Sequence, residues 1–266
     1  MDLGLPGKTA LVTGASRGIG LAVARALYSE GVSLALVAQS EEHLQQSART
    51  LAGSRSASER PSLHLITANL GQRSEVERAA SQAIKRLGHV DILVNNAARA
   101  RTGTFFDMSE TEMQEVWQVK AFGYVRMVRA VGQHMMQRRA GSIINIVGSA
   151  ARTPSEDFII GSMVNAALVN FTRGISRELA RHNVRINAVS PGWTLTDRQI
   201  RQFELQAQAQ SIPLEDILIR EARAVPLQRF VSPDEIANLV LLLASDLMPG
   251  ITGEEIIVDG GVTPSV

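Results

Sequence analysis

The sequence contains no cysteine. This absence excludes a disulfide framework, a thiolate metal site and a cysteine nucleophile. Any catalysis must therefore use oxygen or nitrogen groups, and we expect no metal site.

Excess charge and long apolar runs are also lacking. A net charge of +1 gives no basic field for nucleic acid. The longest late apolar stretch, Leu239–Ala244, is far too short to cross a bilayer. The first residues include an acidic Asp2 and no apolar run of the kind found in secretory signals. We expect a cytoplasmic protein without a membrane or nucleic-acid partner.

A length of 266 residues allows one large α/β domain or two small ones. The first half repeats a short apolar run followed by an amphipathic segment, which is typical of βαβ units. We predict a single α/β domain with a Rossmann-type, doubly wound sheet of about seven parallel strands and helices on both faces. The candidate strands are Thr9–Thr13, Ser33–Ala38, Leu63–Thr67, Ile92–Val94, Ser142–Val147, Arg185–Val189 and Glu255–Val258.

Several boundaries carry their own signals. Ser40, Ser109 and Ser232 precede acidic residues and are predicted helix caps. The polar stretch Gly53–Pro61 is predicted to be a surface loop. Residues Trp193–Val225 form a partly helical insertion between the last two strands, where this kind of fold keeps a substrate lid.

A glycine-rich segment, Thr13–Gly20, follows the first strand and opens a helix. Its glycines allow a tight turn and close approach of the backbone, so that a pyrophosphate can bind the free N–H groups of the helix. A glycine-rich turn without a ligand is the alternative. The order strand, turn, helix favours dinucleotide binding.

Three further motifs occur after it in order: Asn95–Ala98, Pro191-Gly192 and Val258–Gly261. With the glycine turn, they resemble the short-chain dehydrogenase/reductase family from about Leu5 to Gly261. Ala98 departs slightly, since the family usually has glycine there. The resemblance implies NAD or NADP and a homotetramer, which the apolar C-terminal segments also favour because exposed edges of this kind invite pairing.

The resemblance also implies a set of cofactor contacts by position. Each lies in or shortly after one of the four motifs, or at the end of the second or third strand. They are Gly14, Ser16, Arg17, Ile19 and Gly20 for the diphosphate and adenosine ribose, Gln39 and Ser40 beside that ribose, Asn69 and Leu70 for the adenine, Asn95 and Ala97 on the nicotinamide side, and Pro191, Gly192, Thr194 and Thr196 near the carboxamide and diphosphate.

The end of the second strand decides between NAD and NADP. Ala38 stands where a carboxylate would bond the ribose hydroxyls of NAD, and Gln39 and Ser40 come directly after it. Arg17 offers a nearby cation for a 2′-phosphate, unless it is only a solvated loop residue. We predict NADP, with NAD possible.

The four catalytic positions of the family carry unusual residues here. The register places Gly161 at the tyrosine position and Asn165 at the lysine position. It places Gly148 at the serine position and Lys120 at the asparagine position. Lysine thus stands where the family has asparagine, and asparagine stands where it has lysine. This exchange predicts that Lys120 lies beside Asn165 and supplies the positive charge. The alternative is a solvated or ion-paired helix lysine.

Other candidates are weaker. Ser149 is a catalytic candidate that reaches the substrate or only caps a turn, and Tyr124 is either a donor or a core residue. Phe158 is expected to line the pocket, and Asp157 is an acid or a solvated loop carboxylate. A small-molecule substrate is expected, and an anionic one is suggested by three loop cations near the mouth, each otherwise solvated: Arg99, Arg101 and Arg152.

Three functions are compatible with these residues. The first is an NADP-dependent oxidoreductase acting on a carbonyl or secondary alcohol, with Lys120 and Asn165 replacing the usual proton-transfer groups. The second is a nucleotide-binding relative without redox chemistry. The third is a non-redox lyase or isomerase that uses the same pocket.

Overall fold

The computed structural model describes residues 2–53, 61–99 and 102–264. Seven parallel strands form one sheet in the order β3-β2-β1-β4-β5-β6-β7, and every predicted strand is present to within two residues. Most of the predicted loop Gly53–Pro61 lies outside the described residues. The strands are β1 Thr9–Thr13, β2 Ser33–Ala38, β3 Leu63–Thr67, β4 Ile92–Asn95, β5 Gly141–Ile146, β6 Val184–Pro191 and β7 Glu255–Val258.

Three helices begin where the sequence places capping serines. Ser40, Ser109 and Ser232 each accept a backbone N–H three residues later, and the last two form full capping boxes. The predicted caps are therefore confirmed. The helices are α1 Gly18–Ser29, α2 Glu41–Ala52, α3 Arg73–Leu87, α4 Glu110–Val116, α5 Gly123–Arg138, α6 Ile159–Ala180, α7 Asp197–Gln210, α8 Leu214–Arg223 and α9 Pro233–Ala244.

Both faces of the sheet are covered. Ala10 and Val12 of β1 pack with α1, α2 and α9, whereas Leu11 between them packs on the other face with α3 and α5. Side chains alternate across a strand, so both sets are apolar in a sheet buried on two sides. This accounts for the nearly continuous apolar runs of the strands.

The chain changes direction between β1 and β4. It leaves β1 for β2 and β3 on one side and returns to β4 on the other, with Val12 opposite Val94. The carboxyl ends of these two strands therefore open a crevice, the usual ligand position in such sheets. Gly14 and Asn96 lie side by side there, since the Asn96 amide donates to the Gly14 carbonyl.

One segment, Glu156–Ala180, is long and apolar enough by composition to cross a bilayer. It contains α6, which packs along β6. Val164 and Leu168 of this helix are buried against Ala188 of the strand. Its apolar face is thus part of the protein core.

Candidate active site

Hydrogen bonds join the glycine turn to the segment after β4. The Thr13 hydroxyl accepts the N–H groups of Asn96 and Ala97, at 2.9 and 3.2 Å. The Asn96 amide donates in return to the carbonyls of Thr13 and Gly14, at 3.2 and 3.1 Å. These bonds fix the two sides of the crevice relative to each other.

The glycines of the turn are required by backbone contacts. A Cβ on Gly14, whose φ is +63°, would lie 2.8 Å from the Ala97 Cα. A Cβ on Gly20 would lie 2.2 Å from the Gly14 carbonyl oxygen. Helix α1 then begins at Gly18 without a side-chain cap or an acidic residue in its first turn. Its N-terminal N–H groups are left for a ligand, which fits a diphosphate.

The end of β2 carries no acid that could repel a 2′-phosphate. Ala38 is buried there, and the Gln39 amide donates to Asn69 Oδ1 at 3.0 Å. The Ser40 hydroxyl caps α2. Arg17 is exposed and makes no side-chain ion pair or hydrogen bond with any described residue. These contacts fit NADP better than NAD.

The opposite end of the crevice contains a polar chain inside the protein. Asn95 Nδ2 donates to Asn145 Oδ1 at 2.9 Å, and Asn145 Nδ2 donates to the Thr172 hydroxyl at 3.0 Å. The Asn95 Oδ1 atom is buried and has no partner among the described residues. A buried acceptor without a donor is unfavourable, so a ligand or ordered water is expected to complete it.

Lys120 lies in a π-helical segment, Trp117–Phe122, that joins α4 to α5. Such local widening of a helix is frequent at functional sites. The Lys120 Nζ donates to Asn165 Oδ1 at 2.7 Å and to the Val147 carbonyl at 2.6 Å. The expected contact with Asn165 is therefore present, and only 9% of Lys120 is exposed.

The surroundings of Lys120 change its protonation. Burial, and secondarily the positive charge of Arg198, lower the pKa of Lys120 from 10.5 to about 7. No carboxylate among the described residues forms an ion pair with it. A solvated or ion-paired helix lysine is thus the wrong interpretation, and near neutral pH the amine can both give and take a proton.

Two glycines at this end face side chains. A Cβ on Gly161 would lie 2.1 Å from the tip of the Phe158 ring. Gly148 has a φ of +145°, and a Cβ there would lie 2.7 Å from Asn165 Nδ2. The Phe158 ring and the Asn165 amide therefore occupy the space beside the positions where the family resemblance implies tyrosine and serine.

The other candidate proton donors do not contact Lys120 or Asn165 through a side-chain hydrogen bond. The Tyr124 hydroxyl donates to the Ile146 carbonyl at 2.9 Å, and burial raises the pKa of this phenol, so Tyr124 is a core residue. Ser149 is buried and begins a short 3₁₀ turn, where its carbonyl accepts the N–H of Arg152. Asp157 is exposed.

The loop cations predicted to receive an anion already contact carboxylates. Arg99 pairs with Glu115 at 3.0 Å. Arg152 pairs with Glu255, at 2.8 Å, whose side chain is only 1% exposed. Both guanidinium groups thus have carboxylate partners, although Arg173 also pairs with Glu255, at 3.6 Å, and an anionic substrate stays a prediction. Arg101 lies outside the described residues.

The motif after β6 is held by the C-terminal motif. Gly192 donates its N–H to the Val258 carbonyl at 2.9 Å, and a Cβ on Gly192 would lie 2.5 Å from the Asp259 Cβ. Pro191 ends β6, and the Thr194 hydroxyl donates to the Gly192 carbonyl at 3.0 Å. These contacts hold the segment that follows β6 at the carboxyl end of the sheet, where the crevice lies.

Arg198 is a site residue that the sequence analysis missed. It lies in the first turn of α7, after the N-cap Thr196. Arg198 is exposed at the surface, but partial desolvation by the surrounding protein, and then the charge of Arg17, lower the pKa of Arg198, whose own charge acts on Lys120. The sequence does contain an indication of its role, because an arginine in the first turn of a helix opposes the helix dipole and is unfavourable there.

Comparisons with known proteins agree with this geometry. The family model described as Enoyl-(Acyl carrier protein) reductase matches residues 14–263. The chain is 34% identical over 263 residues to the 2,3-dihydro-2,3-dihydroxybenzoate dehydrogenase of Bacillus subtilis (strain 168), covering 99% of this chain and 98% of that protein. It is 34% identical over 262 residues to the 3-oxoacyl-(acyl-carrier-protein) reductase FabG of Aquifex aeolicus (strain VF5), covering 98% and 100%.

A solved structure gives the same result. The fold matches L-sorbose reductase from Gluconobacter frateurii, complexed with NADPH and L-sorbose, with a TM-score of 0.94, 29% identity and complete coverage of both chains. The sheet, the glycine turn and the matches over nearly the whole length agree. The chain belongs to the short-chain dehydrogenase/reductase family, and it is an NAD(P)-dependent oxidoreductase.

Proposed function

We propose that the protein is an NADP-dependent oxidoreductase that interconverts a carbonyl and a secondary alcohol of a small molecule, with Lys120 as the proton-transferring group. One observation carries this proposal: a buried lysine without a carboxylate partner among the described residues donates to Asn165 at 2.7 Å in the crevice. Dehydrogenase and reductase activities among the similar proteins support the reaction class.

The choice of NADP rests on the adenosine end of the crevice. Ala38 leaves no carboxylate at the end of β2, and Arg17 is an unpaired cation among the described residues. The similar L-sorbose reductase was solved with NADPH. When bound, the cofactor exchanges a hydride with the substrate carbon through its nicotinamide.

Lys120 handles the accompanying proton. Two of its three N–H groups are taken by Val147 and Asn165, which leaves one for the substrate oxygen. In reduction, the ammonium gives a proton to the carbonyl oxygen while the carbon receives the hydride. In oxidation, the neutral amine takes the hydroxyl proton. The Asn165 amide stays neutral throughout and orients the amine.

Two neighbouring groups complete this arrangement. Phe158 places an apolar ring next to α6, where it limits the access of water. We assign Ser149, one residue after Gly148, a hydrogen bond to the substrate oxygen. Both roles support a proton transfer that is confined to Lys120.

The insertion Trp193–Val225 is suited to act as a lid. Helices α7 and α8 pack on each other, and Gln202 of α7 donates to the Thr102 hydroxyl, at 3.0 Å, across the crevice. The Trp193 ring stacks on Phe230, with centroids 6.4 Å apart, and anchors the start of the insertion. Closing such a segment excludes water from the reaction.

A homotetramer remains part of the proposal. Strand β7 is an edge strand, paired only with β6 among the described strands. An open cleft of about 930 Å³ lies beside it, lined partly by Ile257, Val258 and Leu227. Apolar edges of this kind favour subunit pairing. A cytoplasmic location stays a prediction from the sequence.

The test is the variant Lys120→Met, assayed with NADPH and a panel of ketones and aldehydes. We expect turnover to fall about 100-fold or more, the usual effect of losing a positioned acid or base, with NADPH affinity nearly unchanged. Tyr124→Phe is the matched control, because its hydroxyl is held by the Ile146 carbonyl inside the protein. It should keep its turnover.

Normal turnover by Lys120→Met would show that the proton comes from elsewhere. If the wild-type protein binds NADPH but reduces none of the carbonyls, the nucleotide-binding relative or the lyase or isomerase takes precedence. Absence of NADPH binding would contradict the cofactor assignment itself.

A further inference from the structure

Two acceptors hold the Lys120 amine in one orientation. Its Nζ donates to the Val147 carbonyl at 2.6 Å and to Asn165 Oδ1 at 2.7 Å. A peptide carbonyl and an amide oxygen can only accept, so each of them requires an N–H group from the amine. These two directions are therefore occupied by N–H groups whether the amine is charged or neutral.

The two protonation states differ in what the amine presents in its third direction. An ammonium has three N–H groups, and one remains after Val147 and Asn165 have each received theirs. A neutral amine has two N–H groups and a lone pair. Because the two acceptors use both N–H groups, the lone pair takes the remaining tetrahedral direction. The direction that offers a proton in one state thus offers an electron pair in the other.

The surroundings of the amine favour the neutral state. Ala121, next to Lys120, and Val164, next to Asn165, belong to one buried apolar cluster. The charged group that acts on Lys120 is a cation, Arg198 of α7, and no carboxylate among the described residues pairs with it. Burial, and then this charge, lower the pKa of Lys120 to about 7. A large fraction of the amine is therefore neutral near neutral pH.

Desolvation and a neighbouring cation are the conditions that make a lysine amine nucleophilic. We propose that Lys120 adds to aldehydes and unhindered ketones in the crevice and forms an imine with them. The inference rests on the proposed function only in placing a carbonyl group beside Lys120. A carbonyl carbon is about 1.2 Å from its oxygen, so a substrate whose oxygen reaches the third direction also brings its carbon close to Nζ.

The addition balances without an oxidant or a reductant. The nitrogen lone pair forms a bond to the carbonyl carbon, and the electron pair of the carbon–oxygen π bond moves to the oxygen. Both hydrogens of the amine leave with this oxygen as water, and a carbon–nitrogen double bond remains. Addition of water reverses the sequence and returns a carbonyl whose oxygen comes from the solvent. A ketone that forms this imine therefore exchanges its oxygen with water.

The chain has only two other lysines, Lys8 and Lys85. Lys8 directly precedes β1 and pairs with Asp246 at 2.7 Å. Lys85 is exposed in the last turn of α3, before β4. Both lie toward the amino ends of the strands, whereas the crevice opens at the carboxyl ends. An adduct on Lys120 can therefore be distinguished from adducts on the other two lysines.

The experiment traps the imine and follows its turnover, without added cofactor. The protein is incubated with propanal and cyanoborohydride at about pH 7, and the labelled peptide is identified by mass spectrometry. We expect one propyl group per chain on Lys120 before Lys8 or Lys85 is labelled. Butanone with an isotopically labelled oxygen should lose its label to water faster with the wild-type protein, and Lys120→Met should return this exchange to the uncatalysed rate.

Two further variants serve as matched tests. Asn165→Asp keeps an acceptor for Lys120 but adds a negative charge, which favours the ammonium and removes the lone pair, so adduct and exchange should be lost at the same pH. Lys85→Met removes an exposed lysine and should keep both signals at the wild-type level. Circular dichroism verifies that every variant is folded.

Equal labelling of Lys8, Lys85 and Lys120, or oxygen exchange that persists in Lys120→Met, would overturn the inference. Unchanged trapping in Asn165→Asp would also overturn it. If the wild-type protein reduces carbonyls with NADPH but gives neither adduct nor exchange, the oxidoreductase proposal stands and this inference fails. If adduct and exchange occur in a protein that reduces no carbonyl, the inference stands and the proposed function fails.

Discussion

Glycines shape both ends of the crevice, but they do so against different kinds of neighbour. At the cofactor end, formed by the glycine turn Thr13–Gly20, Gly20 faces first the backbone carbonyl of Gly14 and then the Asn96 amide. At the catalytic end, Gly161 faces the Phe158 ring and Gly148 faces the Asn165 amide, which are side chains. Backbone cannot be exchanged by mutation, whereas a side chain can change together with the glycine beside it. The glycines of the cofactor end therefore cannot be replaced, whereas a glycine of the catalytic end can be replaced together with its side-chain neighbour.

The largest effect, the loss of cofactor binding, is expected at the cofactor end. Gly20→Ala would place a Cβ 2.2 Å from the Gly14 oxygen and push the glycine turn away from α1. We expect loss of measurable NADPH binding and a loss of stability of about 2 kcal/mol. Fluorescence titration and urea unfolding measure the two effects.

Gly174→Ala is the control for this change. Gly174 lies in α6 with no heavy atom within 4 Å of its missing Cβ. Alanine should stabilise the helix there by roughly 0.5–1 kcal/mol and leave NADPH binding intact. Normal NADPH binding by Gly20→Ala would break the distinction between the two ends.

An intermediate effect is expected from the pH dependence of stability. The pKa of Lys120 is lowered from 10.5 to about 7 in the folded state, so between these values the unfolded chain binds more protons. Stability contributed by this group therefore rises with pH across that window, and the cost of burying its charge is greatest below about pH 7.

Lys120→Met removes this dependence. Relative to the variant, the wild-type protein should gain on the order of 3 kcal/mol in unfolding free energy between pH 7 and 9.5. Urea unfolding at several pH values measures the difference, and other titrating groups cancel because both proteins share them. Parallel curves for the two proteins would mean that the buried amine does not become neutral.

The smallest effect concerns Gly161. Gly161→Ala places a methyl group against the end of the Phe158 ring, which is half-buried and able to move, so we expect a loss of about 1 kcal/mol. In the background Phe158→Leu the same change should become neutral or stabilising, since alanine favours the helix.

This double-mutant cycle tests whether glycine and ring changed as a pair. A coupling free energy near zero would show that Phe158 does not determine the residue at position 161. The catalytic end would then be no more adaptable than the cofactor end.

Features that depend on local sequence could be predicted, whereas contacts between residues far apart in the chain could not. The strands and the glycine turn depend on local patterns of apolar residues and glycines, and they were predicted to within two residues. The pairing of Arg152 with Glu255 joins residues 103 positions apart, so no local pattern indicated that this cation has a carboxylate partner. Arg198 was missed because its importance depends on where α7 begins, opposite Gly18.

The contact between Lys120 and Asn165 was predicted from the exchange of two residue types. Phe158 was expected near the vacated tyrosine position, but its close approach to Gly161 was not, because Phe158 reaches that glycine from a short 3₁₀ turn before α6. Sequence identifies which groups have been lost from a site more readily than which neighbour occupies the space.

The π-helical segment Trp117–Phe122 has a consequence for how this region accepts change. An additional residue in one turn rotates the helix on its N-terminal side by about 100° relative to the helix on its C-terminal side. Helix α4 can therefore present one face to α6 while α5 keeps another against α3. Helices α4 and α5 are therefore oriented independently although the backbone is continuous. The sequence of α4 can change without altering how α5 packs under the sheet.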